Sequence, residues 1–161
     1  MALTTCLWFD GNAREAAEFY VASFPESSLS GNWVAPSPTP SNEQGSEVFV
    51  DFTIFGVPFM ALNGGPMFKF NESISFQIPC ADQAEIDHYW ALLTDEGGEA
   101  GQCGWLKDKF GVSWQVGSPE MGKYLGGPDS NGARAATEAM LAMSKIDISE
   151  LRRAYESAVA S

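Results

Sequence analysis

The chain has 161 residues, 45% of them hydrophobic and 12% aromatic, which predicts one domain with a sizeable core. Nine Lys and Arg residues stand against 21 Asp and Glu residues, giving a formal net charge of −12. Nucleic acids and anionic membrane surfaces are bound by clustered basic residues, so this balance argues against both partners.

Three cysteines, Cys6, Cys80 and Cys103, form no CxxC pair, which is typical of free thiols in a reducing compartment. The first residues show no basic leader followed by a long apolar run, and no apolar run is long enough to cross a bilayer. We therefore expect a cytoplasmic protein.

The first predicted elements are a strand at residues 4–9 and a helix that begins after Asn12. Asn12 and Glu15 have the spacing of a capping box, and apolar residues then recur on one face of the helix. A strand at residues 47–54 follows later. Between helix and strand, residues 31–45 are rich in Pro, Ser and Gly. They predict a mobile loop, either a lid over a site or a tolerated surface insertion.

A second set of elements repeats the first. Residues 72–79 predict a strand, and Asp82 and Glu85 repeat the capping-box spacing at the start of another helix. Gly97-Gly98 is expected to end that helix.

The downstream halves of the two sets also match. Residues 55–61 and 110–116 both begin with Phe-Gly-Val, which predicts a hairpin turn that feeds a strand, and a strand at about 105–109 enters the second turn. The helix starts lie 70 positions apart and the turns 55 apart. The first copy therefore carries about 15 additional residues, which we place in the loop 31–45.

The residues after the second copy predict helices. Ser118-Pro119 has the pattern of a helix start, residues 134–143 carry a methionine stripe, and Asp147 and Glu150 have a third capping-box spacing. We expect this tail to dock on the flank of the sheet or on a second subunit.

These elements predict an α+β fold in which two βαβββ modules in tandem form curved mixed sheets around a cleft, with C-terminal helices. The single domain would span 1–161, with modules at about 3–65 and 70–118 and a helical tail at 119–161. In residues 73–78, Ile74, Phe76 and Ile78 alternate with Ser73, Ser75 and Gln77. The polar face would line the cleft or, alternatively, face solvent.

Several motifs in fixed order resemble one known family over residues 4–148. They are Leu7-Trp-Phe-Asp-Gly-Asn12, Ala61-Leu-Asn-Gly-Gly65, Phe68-Lys-Phe-Asn-Glu72, Gly101-Gln-Cys-Gly-Trp-Leu-Lys-Asp108 and Ser113-Trp-Gln-Val116. The family is the PhnB-like branch of the glyoxalase/bleomycin-resistance/dioxygenase (vicinal oxygen chelate) superfamily, often labelled a 3-demethylubiquinone-9 3-methyltransferase domain. The resemblance implies paired βαβββ modules and a homodimer.

In metal-using relatives the ligands come from the first and last strand of each module and are His, Glu or Gln. The resemblance places Thr5, Met60, Ser73 or Ser75, and Gln115 at those positions. Because these side chains provide no imidazole and no carboxylate, we expect no metal and no cofactor.

Two further chemistries find little support. The lone histidine, His88, falls within a predicted helix, where a surface or packing role is favoured over catalysis. A methyl-donor nucleotide site normally uses a glycine-rich turn between a parallel strand and a helix, and no GxGxxG occurs. The catalytic residues, if any, stay unknown.

The remaining candidates are polar and aromatic residues near the expected cleft. Ten residues are thus predicted to bind the small-molecule ligand. Five are those placed by the resemblance, Thr5, Met60, Ser73, Ser75 and Gln115, and the other five are Gln102, Trp105, Asn63, Lys69 and Phe70. Lys69 would meet an anionic group of the ligand or simply solvate its loop. Cys103 is either a nucleophile or, as we favour, a buried structural cysteine.

Three functions remain, and a metal-independent small-molecule-binding protein is favoured. The first alternative is a metal-free enzyme of lyase, isomerase or transferase type acting on a small polar or anionic substrate. Its polarising residues would be Gln115, Thr5, Gln102 and Cys103. The second alternative is a structural or interaction module with a vestigial cleft, plugged by Phe9, Met60 and Phe70. The expected partners are a small-molecule ligand and a second copy of the chain.

Overall fold

The structure is a computed structural model that describes residues 3–160 and divides into two compact units, one up to Phe70 and one from Asn71 on. The first unit runs strand, helix, strand, strand, strand. Its elements are β1 (Thr5–Phe9), α1 (Ala13–Ser23), β2 (Leu29–Val34), β3 (Glu47–Ile54) and β4 (Val57–Asn63).

The second unit repeats this order and adds a helical tail. Its elements are β5 (Phe76–Pro79), α2 (Gln83–Thr94), β6 (Glu99–Ala100), β7 (Trp105–Lys107) and β8 (Ser113–Gly117). The tail consists of a 3-10 turn (Pro119–Met121), α3 (Gly122–Leu125), α4 (Ser130–Ala142) and α5 (Ile148–Val159).

The two sheets have the same topology. The strand order is β1-β4-β3-β2 in the first unit and β5-β8-β7-β6 in the second, with the first and last strand of each unit paired in parallel. The other neighbours are antiparallel. This confirms the mixed α+β fold with two tandem βαβββ modules expected from the sequence.

One face of each sheet packs against the helix of its own unit, because apolar residues alternate along the strands. In the first unit Val50, Phe52, Phe59 and Ala61 are buried, and Tyr20 of α1 stacks on Phe52 with ring centroids 6.0 Å apart. In the second unit the buried apolar residues of β5, β7, β8 and α2 are Ile78, Leu106, Trp114, Val116, Ile86, Tyr89 and Leu93. The opposite face of each sheet is called here its open face.

Some boundaries differ from the predicted ones. The predicted loop 31–45 begins inside β2, whose residues are all exposed and therefore lack a readable apolar face. The predicted strand 72–79 shortens to β5, and Ile74 is 73% exposed instead of lying on the apolar face. Helix α2 ends at Thr94, before Gly97-Gly98, because Asp95 already has an extended backbone.

The first predicted capping box does not form. Asn12 makes no side-chain hydrogen bond at the start of α1. Instead, the backbone N–H of Ala13 donates to Oδ1 of Asn63, at the end of β4, over 3.0 Å. By contrast, Asp82 accepts from the N–H of Glu85 over 3.0 Å, as its spacing predicts. Helix α1 therefore receives its cap from a distant strand, whereas α2 caps itself.

The two hairpins turn by different means. In the first, Phe55 and Gly56 have φ angles of 51° and 72°, as in a two-residue turn with both central residues left-handed. In the second, Asp108 is 3% exposed and organises the loop. Its carboxylate accepts from the N–H groups of Phe110 (2.9 Å) and Val112 (3.0 Å) and from Nε1 of Trp114 (2.8 Å).

The tail folds on itself and docks on the second unit. Asp147 caps α5 by accepting from the N–H of Glu150 over 3.0 Å, as predicted. The Gln83 side chain of α2 donates to the carbonyl of Ile146 and accepts from the N–H of Ile148, both over 3.0 Å. These bonds and the buried Ile146 fix the start of α5 against α2.

Among residues 3–160, no helix combines the length and the apolar character that crossing a membrane requires.

Candidate ligand-binding site

Gln115 lies at the centre of the open face of the second sheet. In the parallel pair β5–β8 it is opposite Gln77, and in the antiparallel pair β7–β8 it is opposite Trp105. Its neighbours along β8, Trp114 and Val116, point to the helix-covered face and are buried. The alternation of the strand therefore brings two amides and an indole together on one surface.

The two amides are oriented by hydrogen bonds. Nε2 of Gln77 donates to Oε1 of Gln115 over 3.3 Å, and Nε2 of Gln115 donates to the hydroxyl of Ser75 over 2.8 Å. An amide fixed in this way presents a defined donor and acceptor to a ligand, with no charge to be desolvated.

A cavity of about 320 Å³ opens beside these amides. Its polar lining includes Gln77, Gln115 and Ser118, and its apolar lining includes Met121 and Ile146 of the tail. A mostly apolar cavity of this size with a few convergent polar groups is typical of small-molecule sites.

Cys103 also lines this cavity, on a loop held by the tail. Its N–H donates to the carbonyl of Met143 over 2.9 Å, and the N–H of Gly104 donates to the carbonyl of Ser144 over 2.8 Å. Cys103 has a φ of 57°, a left-handed conformation that a non-glycine residue rarely adopts. The tail therefore positions a cavity wall.

Met60 occupies the equivalent place on the first sheet, but Thr5 does not share its surface. The register pairs Cys6 with Met60 and Thr5 with Phe59, which is buried on the helix-covered face. The sequence prediction that placed Thr5 beside Met60 is therefore wrong by one residue. Neighbouring residues of a strand point to opposite faces, so Thr5 points to the helix-covered face. Cys6 takes that position.

The other predicted site residues are dispersed. Asn63 caps α1, and Phe70 packs edge-on against Phe9 with ring centroids 5.2 Å apart. Lys69 and Gln102 are exposed, and Ser73 bonds to the side chain of Asn71. Of the ten predicted ligand-binding residues, the second sheet brings together Ser75, Trp105 and Gln115.

Sequence reasoning missed several groups at this face. Gln77 was placed on the polar face of its strand without a role at the site, and Ser113, Lys107 and the tail residues Met121 and Ile146 were not singled out. Ser113 lies two residues before Gln115 in β8 and so shares its face, a signal the period-two alternation could have supplied.

The paired positions on the first and last strands do not fit a divalent metal of the type used by metal-dependent relatives. Cys6 and Met60 in one unit, and Gln77 and Gln115 in the other, offer a thiol, a thioether and two amides. Burial raises the pKa of the Cys6 thiol, which keeps it protonated at neutral pH. Within residues 3–160, no group of three or more His, Cys, Asp or Glu side chains is arranged so that it could hold a metal ion.

His88 and Cys80 are poor candidates for chemistry. His88 is exposed on α2, with its ring 5.0 Å from that of Tyr89. Cys80 is fully buried, and burial raises the pKa of its thiol to about 11. The reactive thiolate form of Cys80 is therefore scarce at neutral pH.

Two βαβββ modules with parallel first and last strands define the glyoxalase/bleomycin-resistance class of fold. The family model for 3-demethylubiquinone-9 3-methyltransferase matches residues 1–117. The PhnB protein of Bacillus cereus is 30% identical with a TM-score of 0.63, and the match covers 72% of this chain and 98% of that one. The chain therefore belongs to the PhnB-like, 3-demethylubiquinone-9 3-methyltransferase family.

A solved structure from Pseudomonas aeruginosa is 22% identical with a TM-score of 0.58, covering 73% of this chain and 97% of its own, which shows the fold alone. The fosfomycin resistance protein FosX of Listeria monocytogenes, in complex with Mn(II) and sulfate, is 16% identical with a TM-score of 0.48. That match covers 74% of this chain and 94% of FosX. A comparison with curated proteins found no match.

Proposed function

We propose that the chain is a metal-independent small-molecule-binding protein whose ligand lies on the open face of the second sheet. The observation that carries the proposal is the hydrogen-bonded pair Gln77–Gln115 at the edge of a 320 Å³ cavity. The pair recognises the ligand by neutral hydrogen bonds, and Trp105 beside it provides a flat apolar surface.

Methyl transfer, which the family name suggests, is not supported by the strand-to-helix connections. These connections are Asp10-Gly11-Asn12 between β1 and α1 and Cys80-Ala81-Asp82 between β5 and α2. A methyl-donor nucleotide normally lies on a glycine-rich turn whose backbone N–H groups approach the ligand. In each connection the last residue, Asn12 or Asp82, is the N-cap residue of the helix that follows. The carboxylate of Asp82 already accepts the cap hydrogen bond of α2.

The first experiment is native mass spectrometry of freshly purified protein, at gentle and then denaturing settings. A metal-free protein that retains a small organic molecule is the expected result, and the mass identifies that molecule. A stoichiometric metal ion would contradict metal independence directly.

The second experiment follows the side-chain amide signals of Gln77 and Gln115 by NMR during titration with neutral fragments, namely benzamide, phenol and indole. We expect saturable shifts for at least one fragment. The substitution Gln115→Ala should lower the affinity for that fragment about tenfold. Gln44→Ala, in the exposed loop before β3, is the matched control and should leave affinity unchanged. Equal affinities in both variants would refute the site.

We also propose a cytoplasmic homodimer. All three cysteines are free thiols, in keeping with a reducing compartment. The edge strand β2 exposes Leu29, Trp33 and Val34 to 39%, 42% and 46%, an apolar edge that self-association would cover. The same native spectra give the subunit count, and a monomer at all micromolar concentrations would contradict the dimer.

A further inference from the structure

A second, smaller cavity lies on the open face of the same sheet. Its volume is about 140 Å³, enough for a group of a few heavy atoms. Trp105, Lys107, Ser113 and two carboxylates, Glu72 and Glu99, contribute to its lining. Ser113 and Gln115 are two residues apart on β8, so this cavity begins about 7 Å from the amide pair.

Ser113 is a buried polar residue with an unmet hydrogen-bonding need. It is 2% exposed, and its hydroxyl oxygen has no hydrogen-bond partner within residues 3–160. Burying a hydroxyl without a partner is unfavourable, and such groups in folded proteins are nearly always satisfied. Since Ser113 lines the cavity, a molecule within the cavity is the natural source of that partner.

Lys107 supplies a positive charge to the same cavity. It lies opposite Ser113 in the β7–β8 register, and its ammonium is 2.5 Å from a carboxylate oxygen of Glu72. Glu72 precedes β5, and its side chain is 61% exposed, so it can leave without disturbing the sheet. The ion pair lowers the pKa of Glu72 and raises that of Lys107, consistent with a charged pair at neutral pH.

The charges around Lys107 select one class of anion. Glu99 lies directly opposite Lys107 on β6, so Lys107 has a carboxylate on either side. If a ligand carboxylate replaces that of Glu72, the charge beside Glu99 is unchanged. A doubly charged phosphate would add a negative charge there and be repelled.

We propose that this cavity binds a carboxylate group of the ligand, with Lys107 and Ser113 as donors and Glu72 as the group that the ligand displaces. The inference rests on the proposed binding function and names its ligand class: a small carboxylic acid. Trp105 lines this cavity and faces Gln115, so an apolar or aromatic stem would run over its ring to the amide pair.

The test uses sodium acetate and sodium benzoate as probes, with sodium chloride at equal ionic strength as the reference. Backbone amide shifts of Lys107 and Ser113 are followed by NMR on the full chain. We expect saturable shifts with both carboxylates and none with chloride, and tighter binding of benzoate because its ring contacts Trp105. The absence of a saturable shift with either carboxylate would overturn the proposal.

Variants then assign the roles. Glu72→Gln removes the competitor and should tighten acetate binding about three- to fivefold, whereas Glu96→Gln, which breaks the similar Lys109–Glu96 pair, should not. Lys107→Gln should abolish binding, and Ser113→Ala should weaken it about tenfold. Unchanged affinity in Lys107→Gln would refute the site even if Ser113→Ala fails to fold.

The outcomes separate this inference from the proposed function. If carboxylates fail to bind while neutral fragments still bind in a Gln115-dependent manner, the carboxylate site is wrong and the binding function stands. If carboxylates bind through Lys107 and no Gln115-dependent binding occurs, the amide pair is not the ligand site.

Discussion

The two sheets share a strand order and a register, yet their open faces differ in chemistry. On the first sheet Cys6 is paired with Met60, and Trp8 is paired with Leu62. Trp8 is further covered by Phe68, with ring centroids 4.9 Å apart, and its Nε1 donates to the carbonyl of Gly65 over 2.8 Å. The first and last strands are therefore mostly apolar on that face and partly covered by their own loop, while β3 adds the half-buried Asp51 opposite Met60.

The second sheet carries two amides at the places of Cys6 and Met60, and a charged and a hydroxyl group on the neighbouring strand pair. Gln77 is paired with Gln115, and Lys107 with Ser113. The helix-covered faces remain alike, since the buried Phe59 and Ala61 of β4 correspond to the buried Trp114 and Val116 of β8. Packing against a helix keeps one face apolar in both units, whereas the open face is free to acquire a binding role.

The largest expected difference between the units concerns their hairpins. Asp108→Ala removes an acceptor shared by three buried or half-buried donors, and should lower the free energy of unfolding by about 3 kcal/mol in urea titrations. Asp10→Ala, at an exposed position, should change it by less than about 0.5 kcal/mol. A similar small loss in both variants would mean that the second hairpin needs no such anchor.

The helix caps provide the next test. Asn63→Ala should destabilise the protein by about 2 kcal/mol, because Asn63 accepts from the N–H of Ala13 and donates to the carbonyl of Glu47 over 2.9 Å. Asn12→Ala should cost less than about 0.5 kcal/mol, since that side chain makes no cap bond. Chemical denaturation of both variants measures the two losses. A larger loss in Asn12→Ala than in Asn63→Ala would support the capping box that the sequence predicted.

The paired positions on the first and last strands should fit a metal ion poorly because of their donor atoms and not because of the geometry of the strands. The double substitution Gln77→His and Gln115→Glu places an imidazole beside a carboxylate, and should raise Ni²⁺ affinity about tenfold, measured by calorimetry. Cys6→His with Met60→Glu makes the equivalent change on the first sheet and should act alike. A gain in neither variant would show that the paired positions do not converge on one ion.

The smallest effect involves Cys80, which precedes α2. Its pKa is raised to about 11 in the folded protein by burial, against 9.0 for the unperturbed thiol. The unfolded chain therefore loses this proton first. The contribution of the protonated Cys80 thiol to the free energy of unfolding is therefore fully present below pH 9 and is lost as the pH rises toward 11. At pH 10 the free energy of unfolding should be about 1 kcal/mol lower than below pH 9. Cys80→Ala should flatten the decline between pH 9 and 11, and an unchanged pH profile would contradict this assignment.

The sequence predicted the repeated architecture well because the two Phe-Gly-Val turns and the alternation of residues 47–54 are local signals. Strand β3 has the predicted bounds. The cap of α1 was missed because its acceptor, Asn63, is 50 positions from Ala13 and no local spacing reports it.

The candidate site was only partly predictable for the same reason. Thr5 was chosen instead of Cys6 because a strand read alone has no register, and only pairing with β4 fixes which residue faces Met60. Gln115 was proposed from the resemblance to the family, and its match to Met60 in the internal repeat supported that choice. The Lys107–Ser113 pair depends on cross-strand register, and the wall formed by Met121 and Ile146 depends on where the tail docks.

The docked tail has an evolutionary consequence. The family model matches residues 1–117, whereas Met121 and Ile146 line the larger cavity, and Met143 and Ser144 hold the loop that carries Cys103. The region matched by the family model thus supplies the sheet, and the segment beyond it supplies part of the wall. Substitutions in that segment would change the cavity wall without disturbing strand pairing, so under the proposed function relatives with different tails should diverge in specificity sooner than in fold.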